Sequence, residues 1–227
     1  SHNTMSEVNP SLVKKIYFAL SKLTIRHYAT KRIACAKEAG YALFGRGNNF
    51  IVINNGIDLS RFSYKPAIRK DARAELNIPQ NATVLLNIAR FQEVKNHTYL
   101  IDVFKEYIKI HPNSHLLLVG DGQLRNTIEN KVRKLKLNNC VSFTGVRSDT
   151  EKMYNSADVF VMPSIFEGLP VALIEAQANG LPCIVSDSID HDVKLNDNFN
   201  FLNIHLAPSK WASAIKLCKK RRGQKSH

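Results

Sequence analysis

From residue 82 onward, short apolar runs alternate with longer segments in which apolar residues recur at helical spacing. The apolar runs predict strands over residues 83–90, 115–120, 141–145, 159–164, 182–187 and 200–204. The longer segments predict helices over residues 97–110, 123–137, 148–157, 170–179 and 209–220. Strands that are apolar throughout and alternate with helices are typical of a parallel sheet covered on both faces. The pattern therefore predicts an α/β fold, a Rossmann-like doubly wound parallel sheet with right-handed crossovers.

The part of the chain before residue 82 has a less regular pattern. Residues 11–28 place apolar side chains at helical spacing among basic ones, which predicts an amphipathic helix. Residues 59–81 are polar apart from one short helix predicted at 68–76, and we expect them to form a linker. The first five residues, SHNTM, are typical of an expression scar. The remaining short elements are predicted as strands at 31–36 and 50–58 and a helix at 37–44.

The formal net charge is +13 at pH 7, but the positive excess lies at the two ends of the chain. Residues 1–50 carry eight basic and two acidic side chains, and residues 216–227 carry six basic ones and none that is acidic. A nucleic-acid-binding domain would carry its basic side chains on the fold itself, interleaved with aromatic ones, so we expect no nucleic-acid partner. Two basic ends fit peripheral contact with an anionic membrane or partner, or they serve solubility alone.

Cysteine usage and metal motifs give weak signals. The four cysteines lie far apart in no metal-binding pattern, which favours a reducing, cytoplasmic location: Cys35, Cys140, Cys183 and Cys218. No apolar run approaches the roughly 20 residues that cross a bilayer, and no secretory signal opens the chain. The stretch DHD at residues 190–192 resembles a short metal motif, but three polar residues in a loop are a weak signal, and we expect no metal site.

Candidate chemistry follows the predicted strands, because ligands of such sheets bind beyond the carboxyl ends of the strands. Arg90 and Lys95 follow the first strand of the sheet, and together they can bring two positive charges to one diphosphate. Gly145 and Val146 follow the third strand at the same edge. Each of these features alone is also typical of an ordinary polar loop, so the prediction of a site rests on the set.

The stretch SIFEGLPVALIEAQANGLP, residues 164–182, places Glu167 and Glu175 with seven residues between them. Gly168 allows a loop to approach a ligand closely, and the helix that begins at Pro170 directs free N–H groups at an anion. Glu175 lies within an apolar helix, where a carboxylate needs hydrogen-bond donors, and a ribose diol supplies two. Glu167 could face the hydroxyls of a second sugar. The alternative is that Glu175 faces solvent.

With these flanks the chain resembles the C-terminal half of a GT-B-fold glycosyltransferase of family 4, the retaining glycosyl transferases group 1. The resemblance covers about residues 30–220, and the two-glutamate pattern is its most specific feature. The enzymes that it resembles in overall character are those of bacterial capsular and exopolysaccharide assembly. The stretches that carry it are FIVINNGID, NIARFQEVKNH, LLLVGDGQL, VSFTGVRSD, MYNSADVFVMPSIFEGLPVALIEAQANGLPCIVSD and KWASAIKL.

The resemblance implies a role for each candidate residue. Arg90 and Lys95 would hold the diphosphate of a nucleotide-sugar. Val146, beside Gly145, would contact the base. Glu175 would bind the ribose hydroxyls.

The same resemblance implies that Glu167 and the backbone of Gly168 and Leu169 contact the donor sugar and phosphate. The implied catalytic set is Glu167, Arg90 and Lys95. The family uses no metal ion or other cofactor, since cationic side chains and a helix dipole stabilise the leaving diphosphate.

The implied reaction moves a hexose, with retention, from a nucleotide-sugar to a glycan or lipid-linked acceptor in surface polysaccharide synthesis, and UDP is the expected nucleotide. Residues 6–58 would be the tail end of the N-terminal GT-B domain with its crossover, and residues 82–227 the nucleotide-sugar-binding domain. The family's acceptor site has no counterpart here, so we expect a partner N-terminal domain and little turnover by this chain alone. The alternatives are a non-catalytic partner subunit of a split glycosyltransferase and a GT-B-fold nucleotide-sugar epimerase.

Overall fold

The computed structural model describes residues 12–34, 37–47, 49–53, 56–167 and 170–218. The chain divides into two units, residues 1–56 and residues 57–227. The predicted contacts of Gly168 and Leu169 lie outside the described residues.

The first unit contains two helices and a small parallel pair of strands. Its elements are α1 (Leu12–Tyr28), β1 (Ile33–Ala34), α2 (Lys37–Phe44) and β2 (Ile51–Val52). The ring of Phe50 packs between Tyr41 and Phe44 of α2, with ring centroids 5.4 Å and 5.7 Å apart respectively. Helix α1 confirms the helix predicted at 11–28, and its apolar side chains Leu12, Ile16 and Leu20 are exposed.

The second unit is built on a six-stranded sheet in which every pairing is parallel. The strands are β3 (Thr83–Ile88), β4 (Ser114–Val119), β5 (Val141–Phe143), β6 (Val159–Met162), β7 (Cys183–Ser186) and β8 (Phe199–Leu202). Their spatial order is β5-β4-β3-β6-β7-β8. Chain order therefore runs outward in one direction from β3 and in the other from β6, which makes the β3–β6 boundary the topological switch point.

Adjacent residues of a strand point to opposite faces of the sheet, so strands that are apolar throughout give the sheet two apolar faces. Helices cover both of them. The helices are α3 (Leu59–Phe62), α4 (Pro66–Glu75), α5 (His97–Ile110), α6 (Arg125–Lys134), α7 (Thr150–Ser156), α8 (Val171–Ala178) and α9 (Pro208–Leu217). Leu86 faces one buried cluster, to which α3, α7 and α8 contribute, and Leu85 faces the other, to which α5, α6 and α9 contribute. The predicted α/β class with a central parallel sheet is thus confirmed.

The segment 59–81, which we expected to form a linker, differs from that expectation: it forms α3 and α4 and belongs to the second unit. The reason is Arg73, a fully buried side chain whose guanidinium donates to the carbonyl oxygens of Ser156 and Ala82 and to the carboxylate of Asp158. A buried guanidinium is tolerated when its N–H groups are satisfied in this way. Polar composition therefore concealed a segment that is anchored to the sheet.

Candidate functional site

Backbone hydrogen bonds join the loops that follow β3, β4 and β5. The amide of Phe91 donates to the carbonyl of Asp121 over 2.9 Å, and the amide of Gly120 donates to the carbonyl of Gly145 over 2.8 Å. Gly120 has a φ of +131°, and a Cβ there would lie 2.1 Å from the carbonyl oxygen of Ala89. This crossing can therefore form only with glycine at residue 120.

The predicted base-contacting residue, Val146, follows this crossing and is 80% exposed. Its neighbour Arg147 is held by the carboxylates of Asp149 and Glu75, each at 2.7 Å from its guanidinium. The anchored arginine and the glycine before Val146 fix the backbone on both sides of an exposed apolar side chain. Such a side chain is available to pack against the face of a planar ligand.

The switch point brings together the loops after β3 and β6. The amide of Ile165 donates to the carbonyl of Val94 over 2.8 Å, which joins the two loops. Lys95 closes a 3-10 turn that is followed by Asn96 in the left-handed conformation, with a φ of 54°. These backbone contacts fix the two loops close to the residues that carry the candidate side chains, Lys95 and Glu167.

Lys95 and Glu167 form an ion pair across these loops. The Nζ atom of Lys95 lies 2.6 Å from both carboxylate oxygens of Glu167. The exposed fractions of the two side chains are 21% and 7%, so the pair is largely shielded from water. Removing one partner from such a pair leaves the other charge uncompensated. Sequence reasoning had placed Lys95 on phosphate and Glu167 on sugar; the structure places the two side chains against each other.

Arg90, the second predicted cation, is exposed at the same edge. Within the residues that the structure describes, its guanidinium has no side-chain partner, whereas Lys95 is engaged with Glu167. Arg90 can therefore bind an anion without first breaking an ion pair with any of the described side chains. An ammonium group has three N–H donors, so Lys95 keeps one for a ligand while two face Glu167.

Glu175 lies half-buried on α8 and is bound by a residue that sequence reasoning missed. Its Oε2 atom accepts a hydrogen bond of 2.8 Å from the hydroxyl of Tyr154. Burial raises the pKa of the Glu175 carboxyl above its usual value, and the hydrogen bond from Tyr154 partly opposes that rise. The pattern of α7 shows only that Tyr154 is an apolar position; that its hydroxyl reaches α8 depends on how the two helices pack.

His97 is the first residue of α5. It is buried, and its ring meets that of Phe91 edge-on with centroids 4.5 Å apart. Neither ring nitrogen has a hydrogen-bond partner among the described residues. Burial, with a smaller contribution from the charge of Lys95, lowers the pKa of His97 to about 4.

The side chains of Asp190 and His191, in the segment 190–192, make contacts with neighbouring protein groups. The carboxylate of Asp190 accepts from the amide of Asp192 over 3.0 Å, and the ring of His191 stacks on Phe201 at 4.0 Å. Across the described ranges, no three histidine, cysteine or acidic side chains are grouped so that they could hold a metal ion.

Solved structures share this fold. Anabaena HepE, crystallised in complex with UDP and glucose, superposes with a TM-score of 0.81 at 21% identity, over 96% of this chain and 60% of that chain. WaaG, a glycosyltransferase involved in lipopolysaccharide biosynthesis, superposes with a TM-score of 0.78 at 18% identity, over 92% of this chain and 59% of that chain. At these identities the likeness concerns the fold, which is that of the GT-B glycosyltransferases.

The family is shown by the sequence. Residues 68–218 match the family described as glycosyl transferases group 1, and the chain belongs to it. The protein EpsF of Bacillus subtilis (strain 168), named as a glycosyltransferase, is 36% identical over 85% of this chain and 51% of its own length. The Escherichia coli UDP-Gal:alpha-D-GlcNAc-diphosphoundecaprenol alpha-1,3-galactosyltransferase is 34% identical over 82% of this chain and 48% of its own length. The chain spans about half the length of these relatives, and the predicted resemblance is confirmed.

Proposed function

We propose that this chain is the donor-binding half of a retaining glycosyltransferase that moves a hexose from a UDP-sugar to a glycan or lipid-linked acceptor in surface polysaccharide synthesis. The observation that carries the proposal is the meeting of Lys95 and Glu167, 72 positions apart in the chain, at the switch point of the sheet. The named substrates of the E. coli relative and the UDP bound to HepE support a UDP-sugar donor and a lipid-linked acceptor.

Each side chain takes a distinct part of the donor in this proposal. Val146 packs against the base, and Glu175 accepts from the ribose hydroxyls. Arg90 and the remaining N–H of Lys95 bind the diphosphate, while Glu167 keeps the ammonium of Lys95 directed at it. Charge accumulates on the diphosphate as the glycosidic bond breaks, and the two cations stabilise that charge in a shielded site. The side chains supply this stabilisation, so the proposed mechanism requires no metal ion.

The acceptor side of the reaction is proposed to come from a second domain. The chain spans about half the length of the curated relatives that it matches, which is the support for this step. The chain alone then binds the donor nucleotide weakly and turns over little. The exposed apolar side chains of α1 and the basic ends of the chain support peripheral contact with an anionic membrane on its cytoplasmic side, where a lipid-linked acceptor would lie.

Calorimetric titration of the chain with UDP, and with ADP and GDP as controls, tests the donor site. Selective binding of UDP is expected. Lys95→Ala and Glu175→Ala should each weaken it by about 10- to 100-fold, because each removes a hydrogen bond to or from a charged group.

Two residues of α5, the exposed Lys109 and the partly buried Glu106, provide controls matched in charge. Lys109 and Glu106 pair only with each other among the described residues, so Lys109→Ala and Glu106→Ala should leave UDP affinity unchanged. Unchanged affinity in both Lys95→Ala and Glu175→Ala would contradict the proposal.

A further inference from the structure

The residue that donates a hydrogen bond to Glu175, Tyr154, lies in the interior of the second unit. Tyr154 is fully buried on α7. Its ring packs edge-on against Phe62, with centroids 5.8 Å apart, and at a tilt against Phe160, with centroids 6.1 Å apart. Side chains of α3 and β6 therefore fix the position of a ring that α7 carries. The hydroxyl at the end of that ring has correspondingly little freedom, since a tyrosine side chain turns about only two bonds.

The Tyr154 hydroxyl faces two acceptors on α8. It lies 2.8 Å from Oε2 of Glu175 and 3.0 Å from the carbonyl oxygen of Ala172. A hydroxyl has one proton, and the carboxylate is the stronger acceptor, because hydrogen bonds to ionised groups are about twice as strong as neutral ones. The carbonyl of Ala172 in turn confines the hydroxyl to the side of α8 on which Glu175 lies.

Only one of the two carboxylate oxygens of Glu175 takes part in this hydrogen bond. Oε2 is held by Tyr154, whereas Oε1 has no hydrogen-bond partner among the residues that the structure describes. The nearby cation Arg61 is bound to Glu151 at 2.7 Å and does not reach Glu175. One oxygen of a half-buried carboxylate is thus anchored to the core, and the other remains available to accept from a ligand.

We propose that Tyr154 is a positioning residue for Glu175: it holds the carboxylate in the orientation that accepts from the ribose diol, and so sets the preference for ribonucleotides over nucleotides without those hydroxyls. This inference rests on the proposed function, in which Glu175 binds the ribose. A carboxylate that is held before the ligand arrives loses less conformational entropy on binding, which is why an anchoring residue without ligand contact affects affinity.

The test compares UDP with 2′,3′-dideoxyuridine diphosphate, which lacks both ribose hydroxyls, by calorimetric titration of the full chain. The wild-type chain should prefer UDP by about tenfold or more, from two hydrogen bonds to a charged group. Tyr154→Phe removes only the hydroxyl and should reduce this preference by about three- to tenfold. Its affinity for the dideoxy nucleotide should stay that of the wild type, because that ligand has nothing for Oε1 to accept.

Tyr107→Phe is the matched control, since it removes the hydroxyl of another fully buried tyrosine, on α5 and on the opposite face of the sheet. It should keep the wild-type preference. Glu175→Asp is a second probe that leaves the buried ring intact and withdraws the carboxylate from the hydroxyl, and it should reduce the preference at least as much as Tyr154→Phe does.

The outcomes separate the two proposals. If Tyr154→Phe keeps the wild-type preference, or weakens both nucleotides equally, Tyr154 does not position Glu175 for the ribose. Should Tyr154→Phe not fold, a wild-type preference in Glu175→Asp would overturn the inference instead. If the wild-type chain binds UDP and the dideoxy nucleotide equally, the ribose role of Glu175 fails, whatever the variants show.

Discussion

Replacing the buried residue His97 by leucine should make the second unit less sensitive to acid. The imidazole is buried against the ring of Phe91, and neither ring nitrogen has a hydrogen-bond partner among the described residues. Leucine has a similar volume and removes no such bond, so we expect similar stability of the variant and the wild type at pH 7.5. The difference between them should appear only as the solution is acidified.

The sign of this pH effect depends on whether the folded or the unfolded chain binds the proton more tightly. Burial lowers the pKa of His97 from 6.5 to about 4, so below pH 6.5 the unfolded chain binds a proton that the folded chain does not. The stability that comes from neutral His97 is therefore complete above pH 6.5 and is lost as the pH falls toward 4. With those two values, linkage gives a loss of about 2 kcal/mol at pH 5 and almost none at pH 7.5.

Urea unfolding at pH 7.5 and pH 5.0 measures this loss. The chain has one tryptophan, Trp211, which is fully buried on α9. Its ring packs edge-on against Tyr99 of α5, the helix that begins at His97, so its fluorescence reports on this region of the second unit. Between the two pH values, the free energy of unfolding of the wild type should fall by about 2 kcal/mol more than that of His97→Leu. For a urea slope of about 2 kcal/mol/M, the midpoint difference is about 1 M.

The exposed residue His205 supplies a control, because His205→Leu changes a histidine that water reaches in both states. It should show the pH dependence of the wild type. The buried residue His115, whose pKa burial also lowers to about 4, is present in all these proteins and cancels in the comparison. A His97→Leu chain that loses as much stability as the wild type between pH 7.5 and pH 5.0 would refute the reasoning.

Two further predictions concern the backbone of the site edge and the ends of the chain. Gly120→Ala should lower the free energy of unfolding by about 3 kcal/mol or more, since a Cβ would lie 2.1 Å from the carbonyl oxygen of Ala89 and the residue has a positive φ. Urea unfolding measures the loss, Gly47→Ala is the control because open space surrounds Gly47, and equal stability of all three proteins would contradict the prediction. The chain should float with anionic liposomes at low salt and be released at high salt, as expected of basic ends. Absence of the chain from the lipid fraction at low salt would remove the proposed membrane contact.

The local pattern of apolar residues was sufficient for the class of fold and for most elements. Helix α5 begins at His97 and ends at Ile110, the bounds that the helical spacing predicts. Such predictions succeed because the spacing of apolar residues along a helix or strand reflects which of its faces is buried. The six strands of the large sheet likewise lie within one or two residues of the predicted runs, whereas the strand predicted at 50–58 is shorter and forms only over Ile51–Val52.

Residues 59–81 show where local information ends. Their polar composition favoured a linker, yet Arg73 is fully buried, with partners as far along the chain as Asp158. An arginine is ordinarily exposed, and only the packed structure supplies the carbonyl and carboxylate oxygens that allow its burial.

The parallel α/β class can be predicted from the pattern of apolar residues alone, and so can the edge of the sheet at which the candidate residues Lys95 and Glu167 lie. The pairing of β3 with β6, the ion pair of Lys95 with Glu167 and the hydrogen bond from Tyr154 to Glu175 are visible only in the folded chain. The physical reason is the range of the interactions. Secondary structure follows from neighbours a few residues apart, whereas the pairing of charges and the placing of a buried hydroxyl depend on contacts between segments that the chain keeps far apart.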